Sequence, residues 1–265
     1  MRTALLISTY NWPESLDLVL KSLCRQSQIP DEVLIADDGS GPETKKLIQK
    51  YVSRIPTRVN HLWHADDGFR KSIILNKAVA QSSADFIIQV DGDCILHPHF
   101  IRDCSRAAEP RVLLSGTRIN IKEDFLSELW RSRVTDFRLF HRGIRNGLRA
   151  LHYPFFGRFY RKRRQFSKKF RGCNTAYWRS DFLRVNGYNE AFMGWGREDS
   201  DLARRLIHSG CAIKRMKHRA LVYHIPHKIR SKSNLNQNDT LELKTIKEHI
   251  VRIEKGVDQY LNGSD

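Results

Sequence analysis

Across the first 115 residues, short apolar runs alternate with longer stretches that repeat every three or four positions. Ala4 to Ser8 reads as a strand. Pro13 suits the first turn of a helix whose apolar face is Leu16, Val19, Leu20 and Leu23. Glu32 to Ala36 reads as a second strand, and Ser40-Gly41-Pro42-Glu43 as a capping box opening a second helix. Val59 to Trp63 is a third strand, Ser72 to Ala80 a third helix, and Phe86 to Val90 a fourth strand ending at Asp91. Strand and helix in this order predict an α/β fold, with a mostly parallel central sheet flanked by helices on both faces. Further on, Asn174 to Trp178 predicts a strand, Arg197 to His208 a helix stopped by Gly210, and Ala220 to Tyr223 a last strand. From Asp239 a terminal helix is expected. Its apolar positions Leu243, Ile246, Ile250, Ile253, Val257 and Tyr260 form a short heptad seam, expected to pack on the main domain rather than on a second copy.

In parallel sheets, ligands bind beyond the carboxyl ends of the strands. Three segments follow strands and should share one crevice: Thr9-Tyr10-Asn11, Asp37-Asp38-Gly39-Ser40 and Asp91-Gly92-Asp93. Asp91 and Asp93 flank a glycine, so both carboxylates can approach one hard cation such as Mg²⁺ or Mn²⁺; the tripeptide reads equally as a turn. Asp37 and Asp38 fit a turn with a helix cap, or a carboxylate accepting bonds from a base N–H or a ribose hydroxyl. In Gly194-Trp195-Gly196-Arg197-Glu198-Asp199-Ser200-Asp201, acids at a helix start complement its dipole. That does not explain the Gly-Trp-Gly, which exposes an aromatic face suited to a sugar ring. A carboxylate beside it can take a proton from a hydroxyl. In Tyr223-His224-Ile225-Pro226-His227 a neutral imidazole can complete a cation's shell. His97 and His99 compete for that role and are expected to be loop residues.

Composition narrows the class. The 265 residues are 40% hydrophobic and 28% charged, which excludes a wholly disordered chain and suits one large domain with its own core. Five cysteines, none in C-x-x-C spacing, argue against a disulfide framework or zinc ribbon and for reduced thiols in a cytoplasm. The first apolar run is too short for a signal peptide, and no run of about 18 apolar residues occurs, so any membrane contact is expected to be peripheral. The net charge is +17, and fourteen Lys/Arg against one acid between Arg131 and Arg171 supply +13 of it. There Arg158, Arg161, Lys162, Arg163, Arg164, Lys168 and Lys169 interleave with Phe155, Phe156, Phe159, Tyr160, Phe166 and Phe170. This basic insert is expected to be helical or loop-like and to lie over the ligand edge. Its mixture suits an anionic membrane face, a phosphorylated or lipid-linked acceptor, or RNA.

Taken in order, Ser8-Thr9-Tyr10-Asn11, Asp37-Asp38-Gly39-Ser40, Asp91-Gly92-Asp93 and Gly194-Trp195-Gly196-Arg197-Glu198-Asp199 resemble the family 2 glycosyltransferases of GT-A fold. The later part resembles the galactosyltransferase-type C-terminal segment of chondroitin-polymerase-like and β-1,4-galactosyltransferase enzymes. The resemblance covers residues 3 to 227. It implies an inverting, metal-dependent transfer of a hexose or N-acetylhexosamine from a UDP-sugar to a glycan or lipid-linked hydroxyl. It also implies Asp91, Asp93 and His224 as ligands of Mn²⁺ or Mg²⁺, with His227 as second choice for the histidine. Asp199 becomes the base, Glu198 the acid holding the acceptor, and Trp195 the stacking surface, with Gly196 and Asn174 also on the acceptor side. Thr9, Tyr10, Asn11, Asp37, Asp38, Asp91, Gly92 and Asn76 fall to the nucleotide sugar. Where the family carries an Arg-Asn pair this chain has Leu75-Asn76, so Arg70 or Lys71 is expected to meet the diphosphate. Asp66 and Asp67 border the nucleotide or form a solvated turn.

The expected organisation is a catalytic domain over 1–227, with a nucleotide half (1–117), the basic insert (118–171) and a catalytic half (172–227), followed by a loop and helix (228–265). The family's range suggests bacterial surface polysaccharide synthesis, lipopolysaccharide included, by a cytoplasmic protein peripheral on the inner membrane face. A sugar nucleotidyltransferase is disfavoured, because the first strand is not followed by a glycine-rich loop ending in arginine. A nucleic-acid-binding protein fits the charge but leaves Asp-Gly-Asp and Gly-Trp-Gly without a role, so nucleic acid is not the expected partner.

Overall fold

The computed structural model describes residues 1–157, 159–227 and 233–261. Its strands are β1 (Thr3–Thr9), β2 (Glu32–Asp37), β3 (Arg58–Trp63), β4 (Phe86–Asp91), β5 (Cys94–Leu96), β6 (Val112–Ser115), β7 (Thr117–Asn120), β8 (Asn174–Trp178), β9 (Ala212–Arg215) and β10 (Leu221–His224). Seven of them form one sheet in the order β3-β2-β1-β4-β8-β6-β9. Only β8 runs against its neighbours β4 and β6; the other six strands share one direction. A second sheet, β5-β10-β7, sits beyond the carboxyl end of β4.

Alternation along each strand builds two cores. On one face Leu5, Ile7, Val33, Ile35 and Ile88 pack on Leu16, Val19 and Leu20 of the helix Pro13–Leu23. On the other, Ala4, Leu6, Leu34 and Ile87 pack on Ile74, Leu75 and Ala78 of the helix Lys71–Gln81. With both faces covered, β1 and β2 are buried throughout, which is why they read as unbroken apolar runs. A third core joins Ile95, Ile119, Leu221 and Tyr223 of the small sheet to Phe125, Leu129 and Phe137 at the entry to the basic segment.

The predicted strands and helices of the first half are all present. Differences lie in the details and in the second half. The helix Pro42–Val52 has Gly41, not Ser40, at its N-cap and no side-chain cap; the Ser40 hydroxyl instead accepts the Asn11 N–H. Among the described residues the basic segment is largely irregular, with the single helical turns Gly147–Ala150 and Pro154–Gly157 as its only helices beyond Ser132. Its dense charge and scattered aromatics give no continuous helical face. Arg158 lies outside the described residues. The strands β5, β6, β7 and β9, three or four residues each, were too short to register as patterns. All five cysteines are free, as expected.

The terminal seam is not formed. The helix runs Leu235–Lys247 and stops before Ile250 and Ile253, while Val257 is buried in a separate turn. Leu243, the seam's first position, is exposed. The buried side chains of this helix are polar: Asn238, Glu242 and Thr245. Asn238 donates to the Met193 and Gly196 carbonyls, Glu242 pairs with Arg204, and Thr245 donates to Asp201. Hydrogen bonds, not an apolar stripe, dock this helix.

Asp201 is therefore structural. It pairs at 2.7 Å with Arg205, both fully buried, and Arg205 also donates to the Val185 and Gly187 carbonyls. This network fixes the helix Glu198–His208 against the turn before it. Arg205→Met strands the Asp201 charge and two carbonyls, and should cost about 3–5 kcal/mol. Urea unfolding of both proteins measures it; a change below about 1 kcal/mol would refute the assigned role.

Candidate active site

Register sets the site. β1 pairs Ser8 with Asp91 of β4 and Thr9 with Asp37 of β2, so the ends of three strands open on one edge. There a cleft of about 530 Å³ is lined by Thr9, Tyr10, Asn11, Asp38, Lys71 and Asp91, with Trp195 across from them. The strand-end segments do share one crevice.

Its left wall is tied by short polar contacts. Asn11 adopts φ 43°, and its side-chain oxygen accepts the Gly41 N–H at 2.9 Å. Gly39 has φ 98°, and a Cβ there would lie 2.6 Å from the Asp66 Cα, so the β2 turn admits only glycine. The Tyr10 hydroxyl donates to Asp66 at 2.8 Å. Asp38 accepts from His64 at 2.8 Å and from the Arg70 N–H at 3.0 Å while still lining the cleft. Gly92 lets the turn after β4 close on β1, donating its N–H to the Ser8 carbonyl at 2.7 Å.

The floor is charged. Lys71 Nζ lies 2.9 Å from Asp91 and 4.0 Å from both Glu198 and Asp199. Burial opposes its charge, but Asp199, Asp91 and Glu198 outweigh that and hold the ammonium well above its ordinary range. Burial pushes Glu198 up to about 7, helped by the charge of Asp199. Burial also raises Asp199, against the pull of Lys71. A carboxylate whose proton affinity is raised is a better base.

Asp199 is held from behind by a buried relay. The Tyr177 hydroxyl donates to Gln89 at 2.8 Å, the Gln89 amide donates to Tyr188 at 2.7 Å, and the Tyr188 hydroxyl donates to Asp199 at 3.2 Å. Gly172 faces the same carboxylate; a Cβ there would fall 1.9 Å from the Asp199 Cγ. These residues sit on β4, β8 and the turn after Asn186, and no spacing in the sequence links them.

Beside this lies a second constellation. Asp93, His224 and His227 bring one oxygen and two ring nitrogens within 4.8 Å of one another. His224 comes from the end of β10, and His227 reaches Asp93 at 3.2 Å from the loop after it. Burial disfavours the Asp93 charge, but the hydrogen bonds from both imidazoles hold it well below the usual carboxylate range. Both histidines therefore meet Asp93, where the sequence reading had to choose between them. His97 and His99 are elsewhere, stacked with His152 on the far side of β5, as expected for loop residues.

Several expected site residues make hydrogen bonds within the fold. Asn174 is buried and donates its amide to the Thr117 and Ala220 carbonyls, tying β8 to the small sheet rather than facing an acceptor. Asn76 is fully buried and spends both amide ends on Tyr188 and Glu190. Asp37 accepts the Ser40 N–H and pairs with His61 beneath the cleft. Arg70 turns its guanidinium to Asp67 and the Ala65 carbonyl, which leaves Lys71 as the cation on the floor; Asp67 itself is solvated. Asp91 stands apart from the Asp93 cluster, accepting from Ser8 at 2.7 Å and from Lys71. Trp195 is half-exposed between Gly194 (φ 72°) and Gly196 (φ 108°), whose backbone turns its ring toward the cleft.

A second cavity, of about 380 Å³, opens from the same floor and shares Asp91, Asp93, Asp199 and Trp195 with the first. Two hollows meeting over one charged floor, at the end of a mostly parallel sheet with one reversed strand, make the GT-A architecture. Residues 4–182 match the model of glycosyl transferase family 2, and the chain belongs to that family. Residues 153–228 match a model described as the N-terminal domain of galactosyltransferase. The chondroitin synthase of Escherichia coli is 25% identical over 83% of this chain and 34% of its own length. The validoxylamine A glucosyltransferase of Streptomyces hygroscopicus subsp. limoneus is 26% identical over 77% of this chain and 47% of its own. The chain thus spans about a third to a half of these relatives. Among solved structures, S. aureus TarS 1-349 in complex with UDP superposes with TM-score 0.63 at 17% identity, covering 98% of this chain and 70% of that one. The mannosyltransferase PcManGT of Pyrobaculum calidifontis, in complex with GDP-Man and Mn²⁺, gives 0.62 at 16% identity, covering 98% and 68%.

Tyr188→Phe should lower turnover by about ten- to a hundredfold by loosening Asp199. Because the Tyr188 hydrogen bond lowers the Asp199 pKa, its loss should move the acid limb of the pH–rate profile to higher pH. A uniform loss with an unmoved profile would show that Tyr188 only supports the fold.

Proposed function

We propose that this protein transfers a hexose or N-acetylhexosamine from a nucleotide diphosphate sugar, a UDP-sugar by preference, to a hydroxyl of a glycan or lipid-linked acceptor, with inversion at the anomeric carbon. The observation that carries the reading is the meeting of two cavities at Asp91, Asp93 and Asp199. The cavity beside β1 and β2 takes the nucleotide, and the other takes the acceptor. In this reading residues 1–117 supply most of the donor side, and residues 172–227 supply the base. A structural neighbour in complex with UDP and another in complex with GDP-Man and Mn²⁺ support a nucleotide-sugar donor.

Asp38 accepts hydrogen bonds from the nucleoside at the cleft's inner wall. Trp195 stacks on the acceptor sugar, and Glu198 holds one of its hydroxyls. Asp199 takes the proton of the attacking hydroxyl. The acceptor oxygen then bonds to the anomeric carbon while the bond from that carbon to the diphosphate breaks, and the electron pair leaves with the nucleotide. Lys71 stands beside the developing negative charge. No protein nucleophile is required, in contrast to retaining glycosidases. Asp93, His224 and His227 fit a divalent cation, and one carboxylate with two imidazoles suits Mn²⁺ better than Mg²⁺. Such an ion supplies Lewis-acid neutralisation of the leaving diphosphate.

The surface around Tyr153, Phe155, Phe156 and Phe159 supports a peripheral membrane role. These rings are all exposed and cluster together, and Arg161, Arg164, Lys168 and Lys169 follow them. Apolar rings fringed by cations match an anionic leaflet. Among the described residues no helix is long and apolar enough to cross a membrane.

Nucleotide release from a panel of UDP-, GDP- and CDP-sugars should appear for one UDP-sugar with Mn²⁺ and vanish with EDTA. Asp93→Ala should abolish it with the fold intact, and Asp199→Asn should lower transfer by about 10²–10⁴-fold. No release across the panel, and no thermal shift with UDP plus Mn²⁺, would sink the transferase reading. Separately, the protein should sediment with phosphatidylglycerol vesicles, and the double variant Phe155→Ser, Phe159→Ser should lose that while still releasing nucleotide. Equal binding to neutral phosphatidylcholine vesicles would remove the membrane role.

A further inference from the structure

The two cavities differ in charge. The donor cleft holds one cation, Lys71, among Asp38, Asp91, Asp93, Glu198 and Asp199. The second cavity shares Asp91, Asp93 and Asp199 at its floor and adds Glu123, but it also carries Arg118, Arg145 and Arg171 on its walls. Arg118 comes from β7, where Thr117 and Ile119 point into the core and Arg118 turns outward. Arg145 comes from the interior of the basic segment and Arg171 from its end, and Gly172, next to Arg171, faces Asp199.

These arginines are poorly neutralised. Among the described residues no carboxylate lies within 4.0 Å of the guanidinium of Arg118, Arg149, Arg171 or Arg215, and Arg145 reaches only the solvated Glu123, at 3.9 Å. Arg171 donates to the Lys168 and Phe170 carbonyls, which leaves its charge uncompensated. Burial, with the nearby charges of Arg215, Arg118 and Arg171, lowers the proton affinity of Arg149. Like charges held together without counterions store repulsion, and an anion bound among them releases it. The guanidinium fork suits phosphate oxygens in particular.

We propose that the acceptor carries a phosphate group, and that Arg118, Arg145 and Arg171 bind it next to the attacking hydroxyl. This rests on the transferase reading above, and it names the class of acceptor. The arginines do not line the donor cleft, so the donor diphosphate is not their ligand. They line a recess, whereas the exposed rings suited to a membrane lie on residues 153–159. Selection then works by charge: a neutral glycan leaves the arginines facing one another, and a phosphorylated one relieves them.

The test uses the whole chain with Mn²⁺ and saturating UDP, whose binding is measured first in the same sample. Glucose 6-phosphate and glucose are then titrated as probes and followed by saturation-transfer NMR. Glucose 6-phosphate should bind at concentrations where glucose does not, and its affinity should fall with added salt. The double variant Arg118→Gln, Arg171→Gln should weaken it by roughly tenfold or more while leaving UDP binding unchanged. Arg118→Lys, Arg171→Lys guards against misfolding, since it keeps the charge and should restore part of the binding. Equal binding of the two sugars, or glucose 6-phosphate binding that survives the glutamine variant, overturns the proposal. So does binding of phosphatidic acid vesicles, lost in the glutamine variant, with no binding of the soluble sugar phosphate; that places the anion on a lipid headgroup instead. The sugar titration is repeated without UDP. If UDP does not bind at all, the donor reading fails, and the arginine result is still read from this arm.

Discussion

One ammonium group makes the site possible. Asp91 ends a strand near residue 90, and Glu198 and Asp199 open a helix more than a hundred residues later. Three carboxylates brought this close and buried would repel one another and lose their hydration. Lys71, reaching across from the first turn of its own helix, offsets both costs at once. Its position links the two halves of the chain electrostatically at the point where the sheet links them mechanically. The carboxylates hold the lysine's proton, and the lysine in turn pulls Glu198 and Asp199 back toward their charged forms against burial.

Around that point the site divides by sign. On one side Asp38, Asp91, Asp93, Glu198 and Asp199 line the walls around Lys71. On the other Arg118, Arg145 and Arg171 join the shared aspartates, and of these three guanidinium groups Arg145 alone has a carboxylate within 4.0 Å among the described residues, the solvated Glu123. Between them stand an aspartate whose proton affinity burial has raised, a tyrosine relay that aims it, and a glycine whose missing side chain leaves it room. The reacting groups are thus placed by β4, β8 and a helix start, all rigid elements, while recognition falls to loops.

Much of this was legible in the sequence, unevenly. The alternation of the first half fixed the sheet and the crevice, because strands covered on both faces must be continuous apolar runs. Asp38, Asp93, Trp195 and Asp199 stood out as polar or aromatic residues at the turns that end strands or open helices. Asn76 and Asn174 are buried and bonded within the fold, and a buried asparagine that satisfies the backbone has the same sequence signature as one that binds a ligand. The terminal seam failed for a related reason: correct spacing of apolar residues says nothing of whether the helix continues to carry them. The Tyr177–Gln89–Tyr188 relay was invisible because its members come from β8, β4 and the turn after Asn186 and meet only through tertiary packing.

The reversed strand β8 has a further consequence. It hydrogen-bonds to β4 on one edge and β6 on the other, so the strands of the two halves of the chain are stitched into a single sheet. Enzymes built from two lobes open by swinging one lobe away from the other. A single sheet has no such joint, and the cleft cannot widen by rigid rotation. Entry and exit therefore depend on the short turns at its mouth, among them Gly194 to Arg197, where three of four residues have positive φ. Opening of such a frame falls to backbone torsions in its turns rather than to a hinge between lobes.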